Sequence, residues 1–122
     1  MTDKQFSTLW ADALEANNRD AYASDWALSS MWEEDADIME LNEICGRVWD
    51  VAHMTVADIR DHTGLTQKNF AMRFCIPERT LTNWEYRGGV APYIRLMLAQ
   101  ECGLLEGIRE TECESYGIPL FV

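Results

Sequence analysis

The stretch LTQKNFAMRFCIPERTLTNWE, residues 65–85, decides the fold of this 122-residue chain. Apolar residues recur at helical spacing on both sides of its centre: Phe70, Ala71 and Phe74, then Ile76, Leu81 and Trp84. Between them the segment CIP ends in Pro77, a residue suited to the first position of a helix. Ala71 leaves room for two helices to cross closely. The stretch therefore predicts two short helices joined by a tight turn.

Helix start and stop signals surround this stretch. Thr55 followed three residues later by Asp58 is similar to a capping box, and Gly64 is a residue that commonly ends a helix. Thr66 is placed to cap the next helix. After the glycines of YRGG, Pro92 is placed to begin a last helix, which is expected to stop at a glycine. The pattern predicts four short helices in this part of the chain.

The first part of the chain also has helical periodicity. Thr2 is placed to cap a first helix that runs to about residue 16 with apolar residues at helical spacing. A second apolar segment, AYASDWALSSMW, covers residues 21–32. The acids of EEDAD suit a helix N-terminus, and residues 37–52 carry a strong apolar stripe. We expect an all-α chain. The apolar ending GIPLFV, residues 117–122, is compatible with a strand or a packing arm.

Charge is distributed unevenly along the chain, whose formal net charge is −11. Residues 1–54 carry a net charge of −9, residues 55–102 carry +1, and residues 103–122 carry −3. This asymmetry predicts an acidic helical N-terminal extension, a central domain and a C-terminal tail with these boundaries. The acidic extension is either a solvated surface that keeps the protein soluble or a binding surface for a basic partner.

The cysteines and histidines do not have the spacing of a metal site. Cys45, Cys75, Cys102 and Cys113 form no C-x-x-C pair, and neither histidine flanks a cysteine at zinc-finger spacing. The acids at 33–37 lack the spacing of a calcium loop. We therefore expect buried free thiols, no metal and no cofactor.

The polar residues of the central stretch are types that contact DNA. The start of the first helix, at Thr66 and Gln67, is a place where backbone N–H groups bind phosphate. Arg79 is able to pair bidentately with guanine and Asn83 with adenine. The remaining polar candidates for the outer side are Lys68, Glu78, Thr80, Thr82 and Arg87, of which Lys68 and Arg87 suit phosphate contacts.

Residues 59–98, IRDHTGLTQKNFAMRFCIPERTLTNWEYRGGVAPYIRLML, resemble the Cro/CI-type (XRE) helix-turn-helix, the lambda-repressor-like domain. The resemblance implies that Gln67 contacts a phosphate or the first base. It places Pro77, Glu78, Arg79, Thr80 and Asn83 on the recognition face, with Tyr86 and Arg87 near the DNA backbone. This chain departs from the family pattern at Cys75, where a glycine is usual, and at Glu78, whose charge repels phosphate but whose oxygens are able to accept from a cytosine amino group.

These features lead to one main hypothesis and one alternative. The first is a sequence-specific DNA-binding transcriptional regulator, a bacterial or phage repressor that inserts the helix at 77–86 into the major groove and acts as a homodimer. The N-terminal helices are the expected dimer surface. The alternative is an acidic protein-interaction module, such as an antitoxin or an anti-CRISPR-like inhibitor, that binds a basic protein. Such a module is also able to repress its own promoter, so the two hypotheses are compatible.

Other functional classes are not expected. The chain has no P-loop, H-E-x-x-H or G-x-S-x-G motif, so we do not expect an enzyme. It has no run of about 18 apolar residues, so we expect no membrane span. Acidic and polar residues stand in the first 18 positions, where a signal peptide needs a basic start and an apolar run. A cytoplasmic location is therefore expected.

Overall fold

The structure, a computed structural model, describes residues 1–109, and in this part of the chain all regular secondary structure is helical. The all-α prediction is confirmed for these residues, and the segment 117–122 lies outside them. The helices are α1 (Asp3–Glu15), α2 (Arg19–Ala27), α3 (Ile38–Ala52), α4 (Val56–Thr63), α5 (Gln67–Phe74), α6 (Glu78–Arg87) and α7 (Pro92–Glu101).

The chain forms two compact units. The first unit contains Met1–Asp50 together with residues 105–109, and the second unit contains Val51–Leu104. No helix within residues 1–109 is both long and apolar enough to cross a lipid bilayer.

A capping box starts α1 in the first unit. The hydroxyl of Thr2 accepts a hydrogen bond from the backbone N–H of Gln5 at 3.1 Å, and the side chain of Gln5 accepts from the N–H of Thr2 at 2.9 Å. The inward face of α1 is buried, as its spacing predicts, at Phe6, Leu9, Trp10 and Ala13.

Helices α2 and α3 run antiparallel to each other. Arg19 at the start of α2 binds Asp50 near the end of α3 at 2.8 Å, and Asn42 of α3 is 3.4 Å from the hydroxyl of Ser24. Helix α2 ends at Ala27, and Leu28 is its C-cap, so the expectation of helical structure over the whole segment 21–32 is wrong. The acids of EEDAD lie in the segment before α3, which begins at residue 38.

The tryptophans of the first unit are buried or half-buried, and three of them donate a hydrogen bond from the indole N–H. This is expected of large aromatic side chains in a core. Trp10 is buried. The indole of Trp26 donates to the Asp12 carboxylate at 2.7 Å, and that of Trp32 donates to the Trp26 carbonyl at 2.8 Å. Trp49 donates to the carbonyl of residue 16 at 3.0 Å.

The second unit is built from α4 to α7 around a small apolar core. Its buried side chains are Val51, Ala52, Val56, Ile59, Phe70, Ala71, Leu81, Leu98 and Ala99. Local signals set its helix ends, as predicted: a capping box between Thr55 and Asp58 starts α4, and Gly64 with φ 73° ends it. The hydroxyl of Thr66 caps α5, and Pro92 is the first residue of α7.

The turn between α5 and α6 is a Schellman motif. The N–H of Ile76 bonds to the carbonyl of Ala71 at 2.9 Å, and the N–H of Cys75 bonds to the carbonyl of Met72 at 3.3 Å. Cys75 has the left-handed conformation, with φ 54° and ψ 36°, in which glycine is favoured. Pro77 lies one position earlier than predicted, at the N-cap of α6, because its ψ of 131° is extended.

The prediction of buried thiols holds for only part of the cysteines. Cys45 is fully buried on α3, and burial raises the pKa of its thiol to about 11. Cys102 is half-buried. Cys75 is exposed, so the prediction is wrong there: it lies in the left-handed turn beyond the end of α5, away from the helix face that buries Phe70 and Ala71. Cys113 lies outside the described residues.

Candidate functional site

An exposed polar face runs along α6. Arg79, Asn83, Tyr86 and Arg87 are all exposed and follow one another at the spacing of a single helical face. We call these four residues the α6 face. Tyr86 is the most exposed of the large apolar or aromatic residues in the described part of the chain, at 86%. The opposite side of α6 is anchored by Leu81, which is fully buried.

A bidentate ion pair ties α6 to α4. The guanidinium of Arg60 donates from Nε to one carboxylate oxygen of Glu85 at 2.8 Å and from an NH2 group to the other at 2.9 Å. The same guanidinium donates to the carbonyl of Leu65 at 3.0 Å. The side chain of Glu85 is only 7% exposed, and the hydrogen bonds from Arg60 hold the pKa of its carboxyl below the usual value.

Sequence reasoning missed this ion pair. Arg60 and Glu85 are 25 residues apart, and no local rule links them. The available signal was that each stands directly beside an apolar core position, Ile59 and Trp84 respectively. Two opposite charges at the edges of predicted core faces indicate a partly buried pair, although they do not identify the partners.

Gln67 is drawn into the same network. Its side-chain amide donates to the Glu85 carboxylate at 3.2 Å, and the residue is half-buried. One carboxylate therefore sets the position of α6 and the orientation of a side chain at the start of α5. The structure brings Gln67 next to α6.

The start of α5 has backbone donors available to a ligand. The Thr66 hydroxyl accepts from the N–H of Asn69 at 3.2 Å, so it satisfies the third amide of the helix. Within residues 1–109, the amides of Gln67 and Lys68 have no protein acceptor. Thr66 and Lys68 are exposed. An anion at this position would meet two free N–H groups beside a lysine.

The other predicted site residues differ in exposure. Pro77 and Glu78 are exposed at the beginning of α6. Thr80 and Thr82 are half-buried, and the hydroxyl of Thr82 donates to the carbonyl of Glu78 at 3.0 Å, one turn earlier. The Thr82 hydroxyl proton is thus already engaged by the backbone. Thr80 and Thr82 flank the α6 face, and their side chains are less exposed than the four that form it.

The electrostatics of the site are close to neutral within an acidic chain. The α6 face carries two arginines, while Glu85, which is nearly buried on the same helix, is neutralised by Arg60. Residues 55–102 as a whole carry a net charge of +1, against −9 for residues 1–54. The α6 face therefore presents hydrogen-bond donors and acceptors on a helix that has no excess of negative charge around it.

No protein-family model matches the chain, and neither a curated protein nor a solved structure matches it. Within residues 1–109, no group of histidine, cysteine, aspartate and glutamate side chains is placed to hold a metal ion. The features on which a function can be argued are the α6 face, the network that anchors it, and the open N-terminus of α5.

Proposed function

We propose that this protein is a sequence-specific DNA-binding transcriptional regulator of the lambda-repressor-like helix-turn-helix type. In this proposal α5 and α6 form the helix-turn-helix, and α6 enters the major groove as the recognition helix. The observation that carries the proposal is the α6 face: four long polar or aromatic side chains are exposed on a helix whose other side is fixed by Leu81 and by the Arg60–Glu85 pair.

The chemistry of the α6 face suits base edges. A guanidinium at Arg79 is able to donate two hydrogen bonds to the O6 and N7 atoms of guanine, and the amide of Asn83 matches the N6 and N7 atoms of adenine. Glu78, exposed at the start of the helix, is able to accept from a cytosine amino group. Tyr86 and Arg87, at the other end of the face, suit contacts with the sugar-phosphate backbone.

The N-terminus of α5 supplies a phosphate contact. The free amides of Gln67 and Lys68 and the partial positive charge of the helix end favour an anion there. The Lys68 side chain adds a full positive charge. Such a contact fixes the register of the protein on the duplex, so that α6 meets the same bases each time.

The charge of the whole chain is compatible with this role. Charges separated by more than about 10 Å are largely screened at 0.1 M salt, so acids that point away from the DNA oppose binding only weakly. With few cations on the binding side, affinity would depend less on phosphate contacts and more on base contacts. A protein of this kind binds random DNA poorly, which favours discrimination between sites.

One recognition helix reads only a few base pairs, so the proposed regulator acts as a homodimer. Two copies related by a two-fold axis would read half-sites about one helical turn apart. The proposed role is that of a bacterial or phage repressor in the cytoplasm, where its operator lies.

Selection from a random duplex library tests the proposal. Duplexes retained by the protein are sequenced after several rounds, and the same selection is run with the Asn83→Ala variant. We expect an inverted repeat with half-sites about 10 base pairs apart, and an adenine preference in each half-site that the variant loses. Recovery of no common sequence by the wild-type protein would contradict the proposal.

A further inference from the structure

The first unit exposes three apolar side chains at one of its ends. Leu28 is 70% exposed, Ile38 is 53% exposed and Met39 is 83% exposed. Removing large apolar side chains from water is favourable, so burying several of them against a partner stabilises a complex. Groups of exposed apolar side chains therefore mark interaction surfaces.

The geometry of α2 and α3 places these residues at the same end. The helices are antiparallel, with Ser24 of α2 opposite Asn42 of α3. Leu28 lies one helical turn beyond Ser24, and Ile38 lies one turn before Asn42, so both are displaced in the same direction along the pair. Met39 follows directly at the start of α3. The three exposed apolar residues therefore lie at the same end of the helix pair.

Acidic residues are close in the chain to these three apolar residues. Glu33, Glu34, Asp35, Asp37 and Glu40 are all exposed in and next to the segment that joins α2 to α3. From residue 20 to residue 46 the chain contains eight acids and no lysine or arginine. We call Leu28, Ile38 and Met39, together with these five acids, the acid-rimmed patch.

The rim decides which occupant suits the patch. A second copy of this chain would bring its own acids against the first, and like charges across an interface are unfavourable. DNA and anionic lipid surfaces are repelled for the same reason. A protein segment with apolar side chains flanked by lysine or arginine satisfies both the apolar centre and the charged rim, which is the usual anatomy of a protein interface.

We propose that the acid-rimmed patch docks an amphipathic basic helix of another protein. The apolar stripe of that helix covers Leu28, Ile38 and Met39, and its flanking cations face the acids of the rim. Methionine suits this position because its flexible side chain adapts to a partner surface. The proposal is independent of DNA binding, since all of its residues lie in the first unit.

A defined synthetic helix tests it with the full chain. The probe has about five turns, with a leucine stripe at helical spacing and lysines beside it. Two matched peptides serve as controls: one has glutamate in place of lysine, and the other has serine in place of leucine. Fluorescence anisotropy of the labelled peptides is measured at about 0.1 M salt. We expect the leucine-lysine peptide to bind and the two controls to bind at least about tenfold more weakly.

Substitutions on the protein locate the site. Met39→Gln is expected to weaken the leucine-lysine peptide about tenfold, whereas Met72→Gln, at a similarly exposed methionine of the second unit, leaves it unchanged. The double variant Glu34→Gln/Asp35→Asn is expected to weaken binding and flatten its salt dependence, and the matched pair Glu15→Gln/Asp61→Asn has neither effect. A photoreactive leucine analogue in the peptide is expected to crosslink to residues 28–39.

Several results would overturn the proposal. They are the absence of binding at roughly 100 µM peptide, equal binding of the glutamate peptide, an unchanged affinity in Met39→Gln, and a crosslink elsewhere. Sedimentation showing a dimer that Met39→Gln dissociates would assign the patch to a second copy and also overturn it. Because the affinity of Met39→Gln for a selected DNA duplex is measured in parallel, failure here is distinguishable from failure of the DNA-binding proposal.

Discussion

Glu85 on α6 receives two hydrogen bonds from Arg60 on α4, at 2.8 and 2.9 Å, through both oxygens of its carboxylate. The Oε1 atom of Glu85, which accepts from Arg60 at 2.9 Å, also accepts from the amide of Gln67 on α5 at 3.2 Å. One carboxylate thus joins three helices of the second unit. This nearly buried carboxylate therefore holds α6, and with it the α6 face, against α4 and α5.

We expect Glu85→Gln to lower the free energy of unfolding by roughly 2–4 kcal/mol, because it leaves the Arg60 guanidinium poorly solvated and without its ionic partner. Asp61→Asn is the matched control, since Asp61 is 4.0 Å from the same guanidinium but its side chain is 73% exposed. That variant is expected to lose less than about 1 kcal/mol. Urea denaturation followed by circular dichroism measures both. Equal losses would show that the ion pair does not anchor α6.

The Arg60–Glu85 pair also predicts a pH dependence. Arg60 holds the pKa of the Glu85 carboxyl below its unfolded-state value, so the unfolded chain takes up this proton first as pH falls. The stability from the pair is fully present above the unfolded pKa of about 4.3 and is lost as pH falls through the lower, folded pKa. The difference in unfolding free energy between the wild-type protein and Glu85→Gln should therefore shrink below about pH 4. A constant difference down to acid unfolding would contradict this.

The left-handed turn at Cys75 predicts a stabilising substitution. A side chain at φ 54° costs about 1–2 kcal/mol relative to glycine, which is partly offset by the greater entropy of glycine in the unfolded chain. We expect Cys75→Gly to raise the free energy of unfolding by about 0.5–1 kcal/mol. Cys75→Ala removes the thiol but keeps Cβ, so its stability should match the wild type. A loss of stability in Cys75→Gly with no change in Cys75→Ala would show that the turn is not strained.

Thiol accessibility should separate three cysteines in the folded protein. Cys75 is exposed, Cys102 is half-buried with its pKa raised by burial, and Cys45 is fully buried with its pKa raised to about 11. Because the thiolate is the reactive form, a maleimide at neutral pH should modify Cys75 first and Cys45 last. Peptide mass spectrometry measures the order, and denatured protein is the control in which the differences disappear. Modification of Cys45 as fast as Cys75 would contradict the burial of Cys45 on α3.

Local chemistry explains which parts of the fold could be predicted. The caps at Thr2, Thr55 and Thr66 and the left-handed glycine at 64 depend only on residues within one turn, so the helix ends that they set were readable from sequence. A tight turn was predicted at the segment CIP, which contains Cys75. Its detail was not, because the backbone of Pro77 is extended and α6 begins one residue later.

Long-range contacts explain what the sequence did not reveal. Nothing near Ala27 in the sequence marks the end of α2, and the helical apolar pattern continues past the point where the chain leaves the helix. The Arg60–Glu85 pair spans 25 residues. Among the predicted site residues, Gln67 is bound by Glu85, 18 residues further along the chain, and only the folded chain reveals that partner.

The central claim is that the α6 face reads DNA, and salt-titrated fluorescence anisotropy with a selected duplex tests it most directly. The proteins to compare are the wild type, Arg79→Ala, Asn83→Ala and Lys4→Ala, the last removing one exposed cation from the first unit. We predict that the wild type binds the selected duplex more tightly than random duplex and that this binding weakens as salt is added. Each α6 variant is predicted to lose roughly 1–3 kcal/mol of binding free energy, whereas Lys4→Ala loses none. Equal affinity of the wild type and Arg79→Ala for the selected duplex, or no preference over random duplex at low salt, would contradict the claim.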